Sequence, residues 1–227
     1  MYIYSKIFIS NISDLFYWNL RENFYRDQII YYEGVLIMSN LQAIKKGLSV
    51  RTIVAIGIGA ALFIILTQLS IPVGFIPNTR IQFNAALIAI IGALFGPVAG
   101  LFTAFLGHAL GDAIFYGSVW WSWVVADAVY GLLVGVTFKK LKIAEGGFGN
   151  KEAVIFNINQ IIANAAAWVV VAPVLDILIY AEPSNKVFAQ GVTAFIVNAV
   201  VTLIVGTLLA FAYSKTRTRS STLQKEE

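Results

Sequence analysis

The chain has no cysteine and a single histidine, His108, among its 227 residues. Disulfides, thiolate metal sites and thiol nucleophiles are excluded, and one imidazole leaves no histidine cluster for a metal. Charge is also scarce: Asp, Glu, Lys and Arg make up 12% of the positions, against about 25% in soluble domains. Too few charges remain to solvate a globule of this size. There is no Gly-Lys-Ser/Thr phosphate loop, no His-Glu-x-x-His pair and no Gly-x-Ser-x-Gly elbow. These gaps argue against an enzyme, and no cofactor is expected. Sustained alternation of polar and apolar residues is missing too, which argues against a membrane β-barrel.

What is present is apolar. Hydrophobic residues fill 59% of the chain, and the mean hydropathy is +0.78. The composition implies an all-α, polytopic membrane protein, whose first partner is the lipid bilayer. A span needs about 20 apolar residues, or fewer if the helix is buried among others. Six candidates run approximately Thr52–Leu69, Phe83–Phe95, Val98–Tyr116, Val119–Phe138, Ala153–Leu175 and Val187–Tyr213. Gly96-Pro97 forms a tight turn between the second and third. Pro97 suits the first turn of a helix, where its missing N–H costs nothing.

The basic residues set the orientation. Lys45, Lys46 and Arg51 precede the first span, Lys139, Lys140, Lys142 and Lys151 separate the fourth from the fifth, and Lys215, Arg217, Arg219 and Lys225 follow the sixth. The opposite side carries Arg80, Asp176, Glu182 and Lys186, with no basic excess. Six spans place every Lys/Arg-rich segment on one face, so both termini are expected in the cytoplasm of a prokaryotic cell membrane. The net charge of +4 is thus a matter of topology and not of nucleic-acid binding.

Residues 1–37 differ from the rest. They mix Tyr, Asn, Phe and charges without a sustained apolar run or a cleavable signal pattern. Met38 begins an ordinary basic lead into a membrane domain, and the codons for Glu33-Gly34-Val35 can spell a ribosome-binding sequence just upstream. Residues 1–37 are therefore expected to be a non-native or disordered extension, residues 38–215 the membrane domain, and residues 216–227 a cytoplasmic tail.

Small residues recur at helical spacing. The first span holds Ala55, Gly57, Gly59 and Ala61; Gly92, Gly96 and Gly100 continue the spacing, as do Gly107/Gly111 and Gly131/Gly135. Such residues let helix backbones approach closely in lipid. Internal packing accounts for most of them. The first-span set could also offer a flat face to a partner.

Polar residues cluster by depth. His108 and Asp112 are one turn apart in the outer half of the third span, where an ionisable group costs roughly 2.5–3.5 kcal/mol on insertion scales. Asp112 is read as a structural partner of His108 or Arg80, and the pair as support for a pocket. Trp120 and Trp121 suit an interfacial belt. Asn157, Gln160, Asn164 and Trp168 share one face of the fifth span, and Asn198 and Thr202 are one turn apart on the sixth. Asp127, Asn164 and Asn198 thus come from three helices at comparable depth and can converge on one solute, with Trp123 and Trp168 offering flat faces. The plain alternative is that these amides bond across helices. The connection Ser70–Gln82 is apolar but broken by Pro72, Gly74 and Pro77, so it is expected to fold back as a lid. Arg80, Gln82 and Asn84 then hang near the cavity mouth.

The six-span pattern, the small-residue first span, the apolar Pro-rich first loop, the Phe-Gly-Pro-x-x-Gly turn and the later Gly-Asp resemble the substrate-binding (S) components of energy-coupling factor vitamin transporters. The run Ile81–Gly135 is similar to the riboflavin-type subgroup, and the likeness covers Met38–Lys215. It implies capture of a vitamin-like small molecule from outside, association with a transmembrane coupling protein and two cytoplasmic ATPases, and uptake driven by ATP. The family's Ala-x-x-x-Ala motif on the first helix, which contacts the coupling protein, maps to Ala55–Ala61, as either Ala55/Gly59 or Gly57/Ala61. Riboflavin leads among ligands because Trp faces with Asp and Asn suit a flavin, though other heterocycles fit that chemistry. A stand-alone channel or facilitator, with Asp112 and Asp127 lining a path, is the alternative.

Overall fold

The computed structural model describes residues 48–72 and 80–217, and from Ser49 onward these belong to one compact unit. The expected extension at 1–37, loop residues 73–79 and the tail beyond Arg217 lie outside the described residues.

The described residues are mainly helical, with one minimal hairpin. Helix α1 (Val50–Gln68) starts at Ser49, whose hydroxyl accepts the Thr52 N–H at 3.1 Å, satisfying one of the donors that a helix start leaves open. Strands β1 (Ile71–Pro72) and β2 (Arg80–Ile81) pair antiparallel, Ile71 opposite Ile81. Helices α2 (Asn84–Phe95) and α3 (Pro97–Tyr116) are joined by Gly96 at φ +91°, a conformation that disfavours any side chain. Then come α4 (Trp121–Gly135), the short α5 (Phe138–Leu141), α6 (Asn150–Tyr180) and α7 (Ser184–Lys215).

Each expected span falls on one of these helices. Four of them, α1, α3, α6 and α7, are long and apolar enough to cross a membrane, while α2 and α4 are shorter apolar helices. Both long C-terminal helices are continuous but widen into π turns, at Ala165–Val171 in α6 and Thr202–Gly206 in α7. In α6 the π turn runs up to Ala172-Pro173. Pro173 offers no N–H to the preceding turn, and a local widening relieves the clash of its ring.

Glycine sets how closely the helices pack. A Cβ on Gly100 would run into the Gly131 carbonyl, and one on Gly131 into the Gly100 carbonyl, so α3 and α4 cross backbone to backbone. Across α1 and α3, a Cβ on Gly107 would stand 2.6 Å from the Phe63 Cβ and one on Gly59 2.8 Å from Thr103. The internal-packing reading of these small residues therefore holds. The core between the helices includes Ile88, Val124, Tyr130, Val134 and Phe156. Large apolar side chains such as Ile58, Leu110, Ile162, Leu178 and Leu208 face outward, as expected of helices surrounded by lipid.

The polar face of α6 turns inward, and much of it serves helix packing. Asn157 donates to Thr207 Oγ1 at 2.9 Å, Gln160 to the Ala199 carbonyl at 3.3 Å, and Asn164 back to Gln160 Oε1 at 3.0 Å. On α7, Thr202 Oγ1 lies 3.3 Å from the Tyr130 hydroxyl.

Candidate functional site

A cavity of about 320 Å³ opens at the end of the bundle where α3 gives way to α4. Lys139, Lys140, Lys142 and Lys151 follow the opposite end of α4 and begin α6. The Arg217 guanidinium joins that far end by donating to the Ala144 carbonyl at 3.3 Å.

One wall comes from α1 and α3. Phe63 and Thr67 face the cavity from α1, with His108, Asp112 and Tyr116 one turn apart on α3. The His108 ring stacks on Phe63 at 5.6 Å between centroids. Its Nδ1 is 2.8 Å from Asp127 Oδ2, and its Nε2 is 3.6 Å from Asp112 Oδ1. The nearer partner of the imidazole is thus Asp127 on α4, not Asp112, which sequence spacing alone suggested. Asp112 Oδ2 instead accepts the backbone N–H of Trp120 at 3.0 Å and so caps the start of α4. The expected third and fourth spans left only Gly117 and Ser118 between them; the carboxylate that caps the following helix was not legible.

The second wall is aromatic. Trp120 and Trp123 line the cavity from the start of α4, and Asp176 lines it from α6. Trp120 was read as a membrane-interface residue, but its ring stacks on Tyr180 at 4.1 Å and its indole N–H is bonded to Asp176. Both Trp120 and Trp121 keep an exposed edge, at 37% and 47%. Asp176 was counted in the sequence only as a loop-side charge. The signal was there: a carboxylate inside Val174-Leu175-Asp176-Ile177-Leu178 is costly in an apolar run and needs partners.

The mouth is built by β2, the residue after it, and the start of α7. Arg80 and Gln82 line it, as do Glu182, Lys186 and Gln190. The Arg80 guanidinium donates to Ser70 Oγ at 2.8 Å and lies 6.0 Å from the Tyr116 ring centroid. Lys186 Nζ and Glu182 Oε2 pair at 2.6 Å.

Of the residues singled out in the sequence, Arg80, Gln82, Trp123, His108 and Asp112 line this cavity together. Asn84, Asp127, Asn164, Trp168 and Asn198 do not. Three of these five touch residues that do. Asn84 Nδ2 donates to Thr67 Oγ1 at 3.0 Å, Asp127 holds His108, and Trp168 meets Trp123 edge to face at 5.7 Å. Trp168 is 6% exposed and its indole N–H has no hydrogen-bond partner. Asn164 is buried one turn before Trp168, and Asn198 is buried on α7.

On α1 the four small residues divide. Ala55 and Gly59 face inward, while Gly57 and Ala61 face outward, with open space around the position of a Gly57 Cβ.

The apolar helices and their apolar exterior define an integral membrane protein, with a polar-lined cavity at one end. Residues 47–215 match the family described as ECF-type riboflavin transporter, S component, and the chain belongs to that family. Its members are transporter subunits embedded in the membrane, not enzymes, and they bind a small molecule and work with an energy-coupling module. The chain is 49% identical over 178 residues to a UPF0397 protein of Streptococcus gordonii, a match covering 78% of this chain and 95% of the relative. It is 50% identical over 183 residues to a UPF0397 protein of Lactobacillus gasseri, covering 80% of this chain and 98% of that one. A UPF0397 protein of Lactococcus lactis subsp. cremoris is 50% identical over 182 residues, covering 80% of this chain and all of the relative.

Proposed function

We propose that this S component captures a heterocyclic vitamin, riboflavin or a compound of similar shape, for ATP-driven import with a coupling protein and two ATPases. The cavity of about 320 Å³ walled by Trp120 and Trp123 carries this reading. Its size is at the low end of small-molecule pockets, and its make-up of aromatic faces with a few placed polar groups is the usual one. A planar ring seats against the indoles. Arg80 and Gln82 hold the polar end at the mouth. Asn84, Asp127 and Trp168 act through Thr67, His108 and Trp123, the lining residues they touch. The unpartnered Trp168 N–H favours a site that extends behind Trp123 toward Asn164 and Asn198.

In this reading α1, α2, α3, α4, α6 and α7 all cross the bilayer with both termini in the cytoplasm. The gathering of Lys139, Lys140, Lys142, Lys151, Lys215 and Arg217 at the end away from the cavity supports that orientation. The cavity then opens outward. Gly57 and Ala61 are the small residues free to meet the coupling protein, because Ala55 and Gly59 already pack inside the bundle.

The test is to purify the protein, identify by mass spectrometry the small molecule that accompanies it, and assay uptake of that compound in proteoliposomes. Uptake that needs the co-reconstituted module and ATP is the expected result. Uptake by the protein alone would establish the channel or facilitator instead.

A further inference from the structure

We infer that Asp176 is the positioning residue of the binding cavity, fixing the indole planes of Trp120 and Trp123 that wall it. This rests on the cavity being the ligand site. Trp120 is the cap residue before α4 in the run Trp120-Trp121-Ser122-Trp123, and residues 120 and 123 fall three apart, on neighbouring sides of the helix start. Both indoles thus reach toward α6. Trp120 Nε1 donates to Asp176 Oδ1 at 2.7 Å, Trp123 Nε1 donates to Oδ2 at 2.8 Å, and the Ser122 hydroxyl also donates to Oδ1.

A carboxylate has about four acceptor positions. Three are filled by donors from this one turn. Asp176 is 3% exposed, and among the described residues no Lys, Arg or His pairs with it. The carboxylate is therefore held by bonds from neutral indole and hydroxyl donors. Such charge-assisted bonds are roughly twice as strong as neutral ones, and the constraint is mutual. An indole turns about only two side-chain bonds, so anchoring its N–H sets the plane of the ring. Trp120 is held further by its backbone bond to Asp112 and its stack on Tyr180, and Trp123 by its edge contact with Trp168. Both faces are set before a ligand arrives, which lowers the ordering cost of binding. An asparagine could not replace the carboxylate, because its single acceptor oxygen cannot serve two indoles on separate atoms and its NH₂ would face an N–H.

The test is Asp176→Asn in the full chain. It is read by near-ultraviolet circular dichroism of the ligand-free protein, by thermal unfolding, and by titration with riboflavin as the probe. The indole dichroism is expected to collapse, and riboflavin affinity to fall by roughly tenfold or more, as for loss of a hydrogen bond to a charged group. Unchanged dichroism overturns the inference whether or not riboflavin binds. Unchanged affinity in a variant that has lost the dichroism also overturns it. A clamp with only a structural role would lower the unfolding temperature and leave the affinity of the folded fraction intact. Failure of the wild type to bind riboflavin would count against the riboflavin reading, and the dichroism would still decide the role of Asp176. Should Asp176→Asn not fold, Asp176→Glu keeps both oxygens but moves them outward by one methylene. It is expected to shift both dichroism and affinity, and no change in either overturns the inference.

Discussion

His108 on α3 and Asp127 on α4 meet at 2.8 Å inside the bundle, and the same imidazole stacks on Phe63 and lines the cavity beside it. The pair joins two helices whose backbones already touch at Gly100 and Gly131. It therefore contributes to the fold and to the shape of the site at once, and the first prediction tests both.

Asp127→Ala leaves the imidazole buried without its nearer partner. Truncating one member of a buried pair typically costs about 3–5 kcal/mol, and a similar loss of stability is expected here. It should appear as a large drop in unfolding temperature in detergent. Asp127→Asn, which preserves shape and one acceptor, should lose clearly less. In a double-mutant cycle, His108→Ala with Asp127→Ala should cost less than the sum of the single changes.

The two glycines of α1 should separate. Gly57 has open space, so Gly57→Leu is expected to fold and bind ligand as the wild type does, but to lose ATP-dependent uptake. Gly59 faces Thr103 at 2.8 Å from an added Cβ, so Gly59→Leu is expected to destabilise the protein by about 1–3 kcal/mol through overpacking. Equal unfolding temperatures for the two variants would contradict this division, as would normal uptake by Gly57→Leu.

At the mouth, Arg80 bonds only one side chain of the described residues, Ser70, and is exposed. Arg80→Ala should leave thermal stability within about 0.5 kcal/mol of wild type while weakening ligand binding by roughly tenfold, the usual size of a lost charged hydrogen bond. Calorimetry with the co-purified compound measures the second effect. Unchanged affinity would remove Arg80 from the ligand's contacts.

Gly131→Ala adds one methyl where the Gly100 carbonyl stands. Helix α3 must then move away from α4, breaking the contact that also aligns His108 with Asp127. Loss of stability of about 1–3 kcal/mol is expected, accompanied by weaker ligand binding, whereas Gly111→Ala, where an added Cβ would meet only Thr67 at 3.6 Å, should be close to neutral. Comparable unfolding temperatures for the two would mean that the α3–α4 crossing tolerates separation.

Much of the architecture was legible in the sequence because lipid leaves so few options. Long apolar runs must be helices when no water is present to satisfy the backbone, Gly96-Pro97 can only be a turn, and small residues at helical spacing let backbones approach, as Gly100 and Gly131 do. The same reasoning picked out Arg80, Gln82, Trp123, His108 and Asp112, which line one cavity. It could not say which carboxylate His108 would choose, because a partner one turn away and a partner on the next helix look equally good along the chain. Trp120, taken for a lipid-interface residue, and Asp176, taken for a loop charge, were missed for the same reason. Each is ordinary alone and acquires its role only by meeting the other.

The sequence by itself thus determined a helical membrane protein, the positions of its helices and some of the polar residues that line a cavity, since these follow from hydropathy, spacing and the cost of charge in lipid. Tertiary structure alone decided how those residues pair. It gave Asp127 to His108, Asp112 to the start of α4, and Asp176 to two indoles, and it turned Gly59 inward and Gly57 outward. Those choices depend on the rotation and crossing of whole helices, which close packing of small residues sets and which no local pattern encodes.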